Sequence, residues 1–507
     1  MRLAERALFS WPLVFLLHVF VITGTGGQTH VCDGISGDYD TWRAKAAGNY
    51  KVIVVGGGIA GLEATKTLLA KGVRNVLLLE AQDYLGGRVK TYRQGSILVE
   101  DGAEWIHGGY MNPLYGLAES LGGLTQPLPD EAYDWRVRTQ DGQVADEFGY
   151  LAAAKVMEKC EIDSILANYH DKGYGDCYLD QFPNVYQNFG AVSSEKDAWL
   201  HYLHMWVVKD TGTYDWRNQS GRDADHFTDW GLDEWNQWAA GYDTLINYTL
   251  KSIDSNITKT SSPVCKIFWN SSSSRKAVVV TSAQKAYTAD YVLVTASVGH
   301  LKERHAKLFS PALPTSYSDN FKKIELGIAD KVQIGWNSPW WGSDPLDLNV
   351  IFTAKTLPAN ETWLYGIMEY MSIHQQTPII QSFLTGNHAL LMEALSDQEV
   401  KDHLLRFLRA VTKKDIPPPT FFRRSQWGKN LWMRGSYNSF VTVEGDRLGL
   451  KSRAPFLVPI TNKFGKVIFW AGEHTSNTRY GTVDGAMLSG GNAARAIKAD
   501  IRRRRRR

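Results

Sequence analysis

A strand, a glycine-rich turn, a helix and a second strand follow one another near residue 50, and this succession constrains the fold more than any other feature. The apolar run Lys51-Val-Ile-Val-Val55 is typical of a strand buried on both faces. Gly56-x-Gly58-x-x-Gly61 follows it and opens a helical stretch over residues 62–71. A second apolar run, residues 76–79, ends in Glu80. The pattern therefore predicts the βαβ unit of an α/β protein.

The spacing of the glycines indicates a site for the pyrophosphate of a dinucleotide. Gly56 allows the tight turn, Gly58 lets phosphates approach the backbone, and Gly61 lets the helix pack closely on the strand. The positive N-terminal end of the helix offers free N–H groups to the anion. Glu80, 19 residues after Gly61, is placed to accept hydrogen bonds from ribose hydroxyls and would repel a 2′-phosphate. A glycine-rich turn in an unrelated α/β fold is the alternative.

The composition describes a folded chain without a strong overall charge. Apolar residues make up 44% of the 507 residues and charged residues 21%, which excludes a disordered or fibrous protein. Lys and Arg number 56 and Asp and Glu 53, but six of the arginines form the run 502–507. The rest of the chain is mildly acidic and has no field that would select nucleic acid. The basic run is either a flexible tail that holds an acidic surface or an addition to the natural chain.

Residues 1–27 have the pattern of a secretory signal peptide. Arg2 and Arg6 precede an apolar run at residues 13–22, and small residues follow it. The run is short for a membrane span, and an uncleaved anchor helix is the alternative. Export is also favoured by five Asn-x-Ser/Thr sequons, at Asn218, Asn247, Asn256, Asn270 and Asn360. We therefore expect a glycosylated protein that is secreted or luminal.

The chain contains four cysteines, at Cys32, Cys160, Cys177 and Cys265. Four are too few for a disulfide-built scaffold of this length, and their spacing contains no CxxC that would indicate a zinc site. They can pair in three ways, and the sequence does not choose among these. Cys160 and Cys177 are close in sequence and are the pair that we expect first.

From Glu80 onward the chain resembles the flavin amine oxidases. Glu80-Ala-x-x-x-x-Gly-Gly-Arg88 is similar to the FAD-binding signature of that family. Further segments resemble the family's motifs in the same order, at residues 100–108, 264–267, 326–331, 339–341, 427, 435–437, 471–476 and 481–486. The resemblance implies a two-domain α/β fold, with a Rossmann-like FAD domain and an α+β substrate domain that contains a mixed sheet.

The two domains are expected to be discontinuous in sequence. The resemblance assigns the FAD domain to residues 28–110, 255–345 and 441–501. It assigns the substrate domain to residues 111–254 and 346–440, with 502–507 as a basic tail. Residues 196–240 interleave six tryptophans with acidic residues. This segment either lines the mouth of the site or forms a solvated face over core tryptophans.

Several positions match those that hold FAD in the family. Arg88 would neutralise a phosphate. Glu473 would approach the phosphate or ribitol, beside the N-terminus of a last helix expected from about residue 485 to 499. The strand at Val264 resembles the one whose backbone holds the adenine. The full set of implied cofactor contacts is Gly56, Gly58, Ala60, Gly61, Glu80, Arg88, Glu104, Trp105, Val264, Glu473 and Thr482.

Three residues match catalytic positions of the family. Lys331 would hold a water molecule against flavin N5 and help to take a proton or activate oxygen. Tyr437 would form one wall of an aromatic cage. The residue of the opposite wall is aromatic in monoamine and plant-type polyamine oxidases, but the matching position here is Thr482. Tyr480 lies two residues before it. His107 stands where plant polyamine oxidases carry a glutamate and would hydrogen-bond a substrate nitrogen. The alternative for His107 is a packed histidine satisfied by the backbone, and the alternative for Lys331 is an exposed lysine at a strand edge.

The segment around Glu104 favours a cationic substrate. L-amino-acid oxidases carry an arginine shortly after their Gly-Gly-Arg motif to grip a carboxylate, whereas this chain has Ala103-Glu-Trp-Ile106 there. Glu104 would repel a carboxylate and attract a polyamine. Thr482 resembles the residue of animal spermine and acetylpolyamine oxidases. The implied substrate contacts are Glu104, His107, Tyr437, Tyr480 and Thr482.

Ser436 bears on how FAD is held. Monoamine oxidases carry a cysteine just before the cage tyrosine, and it bonds covalently to the flavin. This chain has Ser436 at that position and no cysteine after Cys265. FAD is therefore expected to bind without a covalent bond, which weakens the case for a monoamine oxidase.

The resemblance predicts an FAD-dependent polyamine oxidase without a metal site. A secondary amine of spermine, spermidine or an acetylated form would give a hydride to flavin N5, O2 would be reduced to H2O2, and the imine would be hydrolysed to an aldehyde and an amine. The alternatives are another amine oxidase or an L-amino-acid oxidase of the same fold, and an inactive FAD-containing binding protein. A chromatin demethylase is disfavoured by the export signal. Which carbon is attacked and the oligomeric state stay open.

Overall fold

A computed structural model describes residues 30–125, 137–228, 230, 235–342, 345–353, 357–373 and 378–506. The predicted signal peptide lies outside these residues. Within them, no helix is both long and apolar enough to cross a membrane.

The strands of the described chain are β1 (Ala46–Val55), β2 (Val76–Leu79), β3 (Thr91–Gln94), β4 (Ile97–Glu100), β5 (Trp105–His107), β6 (Arg138–Thr139), β7 (Trp235–Gln237), β8 (Thr258–Lys259), β9 (Val264–Phe268), β10 (Ala277–Thr281), β11 (Ala286–Val294), β12 (Phe309–Ser310), β13 (Ile324–Leu326), β14 (Ala329–Gly335), β15 (Asp347–Ile351), β16 (Glu369–Ser372), β17 (Ile379–Thr385), β18 (Phe421–Arg424), β19 (Ser439–Val441), β20 (Ile460–Asn462) and β21 (Gly465–Trp470).

The α-helices of the same residues are α1 (Tyr39–Ala44), α2 (Ile59–Ala70), α3 (Tyr115–Ser120), α4 (Glu147–Cys160), α5 (Asp163–Leu166), α6 (Tyr174–Asn188), α7 (Lys196–Thr211), α8 (Gly221–Asp225), α9 (Asp243–Leu250), α10 (Val298–Leu308), α11 (Thr315–Lys323), α12 (Gly386–Ala394), α13 (Asp397–Thr412), α14 (Val443–Arg447) and α15 (Val483–Arg505).

A nine-stranded sheet carries the predicted βαβ unit. Its strand order is β12-β9-β10-β11-β1-β2-β8, and β21 pairs with β11 and with β20. Strand β1 runs parallel to β2 and to β11, and β21 runs parallel to β11. Residues Val52–Val55 of β1 are buried because both faces of the sheet are covered, as the unbroken apolar run predicts. Helices α2, α9 and α15 pack together on one of these faces.

A second, six-stranded sheet has the order β18-β14-β17-β16-β15-β6. Most of its neighbours are antiparallel, and β15 and β6 are parallel, so the sheet is mixed as predicted. Residues 329–335, which the sequence-based boundary assigns to the FAD domain, form β14 of this sheet, between β18 and β17. The strand that carries Lys331 therefore belongs to the sheet opposite the βαβ unit.

Helices α4, α6 and α7 form a separate apolar core, and α7 is the first part of the tryptophan-rich segment. Trp199 and Trp216 are buried in this core, and Trp238 is buried beside α9. The expectation that residues 196–240 line the mouth of the site is thus only partly met in the described chain. From that segment, Lys209 and Asp210 line the central cavity.

The four cysteines form two disulfides. Cys160 joins Cys177, as expected, and links the end of α4 to α6. Cys32 joins Cys265, 233 residues away, and links the N-terminal segment to β9. No described cysteine is therefore free.

The arginine run continues the last helix and is not a flexible tail over the residues described. Helix α15 extends through Arg505, six residues beyond the predicted end. Arg504 donates to the Asp500 carboxylate at 2.6 Å and to the Lys466 carbonyl at 2.5 Å. These contacts anchor the last turn of α15. The positive charge of Arg504 also interacts favourably with the helix dipole, since it lies near the helix C-terminus.

Candidate active site in the central cavity

A cavity of about 280 Å³ lies where the carboxyl ends of β1, β2 and β11 meet the six-stranded sheet. The crevice at the carboxyl ends of parallel strands is where an open α/β sheet binds its ligand. Most residues of the predicted site line this cavity. Those among the lining residues are Gly56, Gly58, Ala60, Glu80, Arg88, Glu104, Trp105, His107, Val264, Lys331, Tyr437, Glu473 and Thr482.

The glycine-rich turn has the shape that a pyrophosphate requires. Gly56 has φ of +110°, in the region that favours glycine. A Cβ on Gly61 would lie 2.0 Å from the Gly56 carbonyl oxygen, so any side chain there would separate helix from strand. A Cβ on Gly58 meets nothing closer than 3.9 Å and would occupy cavity space instead. Gly58 is the N-cap residue of α2 and has no side chain that could cap the helix. The turn therefore leaves room for a phosphate at a helix N-terminus.

Glu80 is oriented at the end of β2 by backbone donors. Its carboxylate accepts hydrogen bonds from the Gly57 N–H at 2.5 Å and the Gln82 N–H at 2.7 Å. Burial nevertheless raises the pKa of this carboxyl. Each carboxylate oxygen keeps a further lone pair. The Glu80 carboxylate can therefore accept hydrogen bonds from ribose hydroxyls, which would replace the water that burial excludes.

Arg88 and Glu473, predicted as separate contacts to the cofactor, are paired with each other. The Arg88 guanidinium donates to a Glu473 carboxylate oxygen at 3.0 Å and to the Ser436 carbonyl. Glu473 also accepts from the Ser439 hydroxyl at 2.6 Å and from the Gly481 N–H at 2.9 Å. Burial would raise the pKa of Glu473, but the Arg88 charge and these donors outweigh it and lower the pKa. The pair thus presents an ionised, fixed polar wall.

Lys331 lies on β14 with its ammonium group inside the protein. Its Nζ atom donates to the Glu104 carboxylate at 2.6 Å, to the Gly102 carbonyl at 2.8 Å and to the Glu100 carbonyl at 3.2 Å. The side chains of Lys331 and Glu104 are 5% and 2% exposed. The alternative of an exposed strand-edge lysine is therefore wrong. The Phe383 ring, on the neighbouring strand β17, lies 5.3 Å from Nζ.

Glu104 is fixed by donors that the sequence did not single out. Gln237 donates to one carboxylate oxygen at 2.6 Å, and Gln381 donates to the other at 2.9 Å. Gln333 in turn donates to the Gln381 side-chain carbonyl at 2.8 Å, which fixes the Gln381 amide. These glutamines lie on three different strands, and no local spacing indicates them. The charge of Glu104 is therefore compensated by Lys331 within the fold, rather than left for a substrate alone.

His107 and Trp105 lie on β5, which pairs antiparallel with β7. Both side chains are half-buried and line the cavity. The His107 carbonyl accepts a hydrogen bond from the Asn112 side chain at 2.8 Å, and this contact fixes the turn after the strand. His107 therefore stands at the cavity wall, where a substrate atom would meet its ring.

The three residues of the expected cage have different positions. Tyr437 lines the cavity, and its hydroxyl donates to the Lys209 carbonyl at 2.7 Å. Thr482 also lines the cavity, and its hydroxyl caps α15 by accepting from the Gly485 N–H at 3.1 Å. Tyr480 lies behind the wall, with its hydroxyl donating to the Asp223 carbonyl at 2.8 Å. The described cavity lining does not include Tyr480.

Other lining residues were not singled out individually as site residues from the sequence. Met371 and Phe383 come from β16 and β17, and Asp210 comes from the end of α7. The lysines and arginines of the described lining are Arg88, Lys209 and Lys331. Each is paired with a carboxylate: Arg88 with Glu473, Lys331 with Glu104, and Lys209 with Glu369 at 2.8 Å. The described wall therefore presents no unpaired lysine or arginine to a substrate.

Comparison with known proteins gives one family and one fold. The model of a family described as flavin containing amine oxidoreductase matches residues 59–498. The peroxisomal N(1)-acetyl-spermine/spermidine oxidase of Bos taurus is 26% identical over 492 residues, covering 87% of this chain and 93% of that protein. A probable polyamine oxidase 5 of Arabidopsis thaliana is 24% identical over 521 residues, covering 87% and 96%.

Solved structures show the same fold. A redesigned putrescine oxidase superimposes with a TM-score of 0.68 at 19% identity and covers 89% of this chain and 99% of its own. A cyclohexylamine oxidase from Brevibacterium oxydans gives a TM-score of 0.65 at 20% identity, with the same coverage.

Proposed function

The chain belongs to the flavin-containing amine oxidoreductases, and from this premise we propose that it binds FAD without a covalent bond and oxidises a secondary amine of spermine, spermidine or an acetylated form. The flavin supplies the acceptor for the hydride lost by the carbon next to that nitrogen and passes the electrons to O2, which becomes H2O2. The imine that remains takes up water and gives an aldehyde and an amine. Two mammalian relatives are named as oxidases of acetylated spermine and spermidine.

The observation that carries this proposal is the pairing of every described lysine and arginine of the cavity wall with a carboxylate. A carboxylate substrate would need an uncompensated cation, because a buried charge without a partner costs about 2–5 kcal/mol. An amine needs no such cation. The wall beside Lys331 is instead aromatic, with Tyr437, Phe383 and Trp427. This favours an amine over an amino acid.

The residues of this chain would prepare the amine for oxidation. The neighbouring carbon can release its hydride only if the nitrogen has a lone pair with which to form the C=N bond, so the reacting nitrogen must be neutral. His107, at the wall, would hydrogen-bond that nitrogen. Tyr437, fixed through its hydroxyl to Lys209, would position the chain of the substrate. Lys331 and Glu104 would provide a buried donor–acceptor pair that can take up or release a proton in the cavity.

Non-covalent binding of FAD is supported by the state of the cysteines. All four are engaged in disulfides, so none is free to form a thioether. Ser436 occupies the position before the cage tyrosine and is used internally, since its hydroxyl accepts from the Ala329 N–H at 2.5 Å. The cofactor would therefore be retained by the polar contacts of Glu80 and the glycine-rich turn.

Secretion and glycosylation are part of the proposal. Two disulfides are typical of an oxidising compartment. The asparagines of all five sequons are exposed, which a glycan requires: Asn218, Asn247, Asn256, Asn270 and Asn360. These features support export, in keeping with the predicted signal peptide.

An anaerobic titration tests the function. Purified yellow protein is mixed with spermine, spermidine and N-acetylspermine, and with benzylamine and L-leucine as comparisons, and the flavin absorbance is followed. Bleaching by the polyamines with H2O2 formation after air is admitted supports the proposal. Bleaching by L-leucine alone would identify an L-amino-acid oxidase, and no bleaching by any compound would favour an inactive FAD-containing protein. Analysis of the products from spermine then identifies the carbon that is oxidised.

A further inference from the structure

The Cys32–Cys265 disulfide lies directly behind one end of the central cavity. Cys265 is the second residue of β9, and its neighbour Val264 lines the cavity. The bond joins residues that are 233 positions apart and brings their Cα atoms to 5.0 Å. It therefore fixes the N-terminal segment against the strand that forms this end of the cavity. The resemblance to the family makes this the adenine end.

The N-terminal segment also packs on two aromatic residues of the cavity wall. The ring of His30 lies 5.3 Å from the Trp432 ring and 6.5 Å from the His300 ring, between centroids. Trp432 and His300 both line the cavity, and their rings are 5.4 Å apart. The His300 ring is in turn fixed by a hydrogen bond of 3.1 Å to the Leu431 carbonyl. His30 thus supports the cavity wall from outside.

Without the disulfide, few contacts would hold this segment. Asp33 pairs with Arg304 at 2.7 Å and with Lys307 at 3.1 Å on α10, but the Asp33 side chain is 33% exposed and such surface pairs are weak. The next firm anchor is Trp42 of α1, which is buried against β10. Residues 30–34 therefore depend on Cys32 for their position, whereas Ile35 packs against the apolar core of α1 and the Ser36 carbonyl accepts from the Trp42 indole at 2.8 Å.

We propose that the Cys32–Cys265 disulfide positions the N-terminal segment as the outer wall of the nucleotide end of the cofactor site, and that this wall slows the release of FAD. The inference rests on the proposed non-covalent binding of FAD. Opening of a wall segment is a local event that leaves the rest of the fold intact. Loss of the disulfide would therefore act on cofactor release before it acts on folding.

The second disulfide of the chain offers a matched control. Cys160 and Cys177 are both buried in the helical core formed by α4, α6 and α7, and neither lines the cavity described here. The variants Cys32→Ser/Cys265→Ser and Cys160→Ser/Cys177→Ser each lose one disulfide. Both are purified with FAD bound and diluted, and the rise in flavin fluorescence measures release. We expect release to be roughly tenfold faster for the first variant and unchanged for the second.

Reduction of the folded protein gives a second measurement if the first variant does not fold. In Cys160→Ser/Cys177→Ser, Cys32–Cys265 is the remaining disulfide. Dithiothreitol converts it to two thiols and itself becomes the cyclic disulfide, and FAD release should then accelerate by the same factor. Equal release before and after reduction, or equal release from the two variants, would overturn the inference. Protein that is colourless as purified would instead contradict the proposed FAD site itself.

Discussion

Replacing Glu393 by glutamine should stabilise the protein above pH 5 and remove part of its loss of stability between pH 5 and 8. Glu393 lies on α12 and Asp330 on β14, next to Lys331, and they are 1% and 0% exposed. Asp330 accepts from the Ser425 hydroxyl at 2.8 Å and the Trp427 N–H at 2.9 Å, and Glu393 accepts from the Gly428 N–H at 2.7 Å. The two carboxyls share one buried site, and the Asp330 carboxylate acts on the ionisation of Glu393.

The magnitude follows from the ionisation of this pair. Burial and then the Asp330 carboxylate raise the pKa of Glu393 to about 8, and burial raises the pKa of Asp330. An acid with a raised pKa in the folded state stabilises fully below its unfolded pKa, near 4.5, and loses this contribution as the pH rises to about 8. Each pH unit costs about 1.4 kcal/mol, so the loss is about 3 kcal/mol at pH 7.

Glutamine keeps the contacts and cannot ionise. Its carbonyl can accept from Gly428 and its amide can donate to Asp330. We expect the urea midpoint, followed by tryptophan fluorescence, to be the same for wild type and Glu393→Gln at pH 5. At pH 7 and 8 the variant should be the more stable. Glu119→Gln, on the exposed face of α3, serves as the control and should follow wild type. Parallel pH dependence of Glu393→Gln and wild type would refute the reasoning.

The remaining predictions concern the cofactor, the reaction and export. Lys331→Met should retain FAD but slow anaerobic bleaching by the best amine roughly a hundredfold, since a proton-handling group is lost; an unchanged stopped-flow rate contradicts the role. Glu80→Gln should weaken FAD binding about tenfold, measured by equilibrium dialysis, because the amide repels one ribose donor. Gly58→Ala should lose FAD at equal fold stability, while Gly109→Ala, where a Cβ also meets open space, should retain it. Enzymatic removal of N-glycans should lower the apparent mass of the exported protein, and no change in mass would contradict glycosylation.

Local sequence patterns determined the cofactor-binding unit. The β1–α2–β2 unit has the predicted order, and the predicted strand, turn and acidic end are all present. This succeeds because the information is short-range: an apolar run, glycines at fixed spacing and one carboxylate lie within about one supersecondary unit. The Cys160–Cys177 disulfide, closed over 17 residues, was predictable for the same reason.

Tertiary packing decided how the charged residues of the site are used. Arg88 and Glu473 are 385 residues apart, and Lys331 and Glu104 are 227 apart. The resemblance assigned Arg88, Glu473 and Glu104 to contacts with the ligand and Lys331 to a water molecule at the flavin, whereas in the fold each of the four has a partner in the protein. Burial explains this outcome, because a charge removed from water needs compensation whether or not a ligand is present.

The sequence by itself determined the family, the glycine-rich cradle and the residue types at the cavity. Only the tertiary structure decided that Tyr480 lies behind the wall, that three glutamines from separate strands fix the Glu104–Lys331 network, and that Cys32 is bonded to Cys265 beside one end of the cavity. Local spacing sets backbone conformation, whereas these contacts join strands and helices hundreds of residues apart. They depend on how two sheets pack, which no single stretch of sequence encodes.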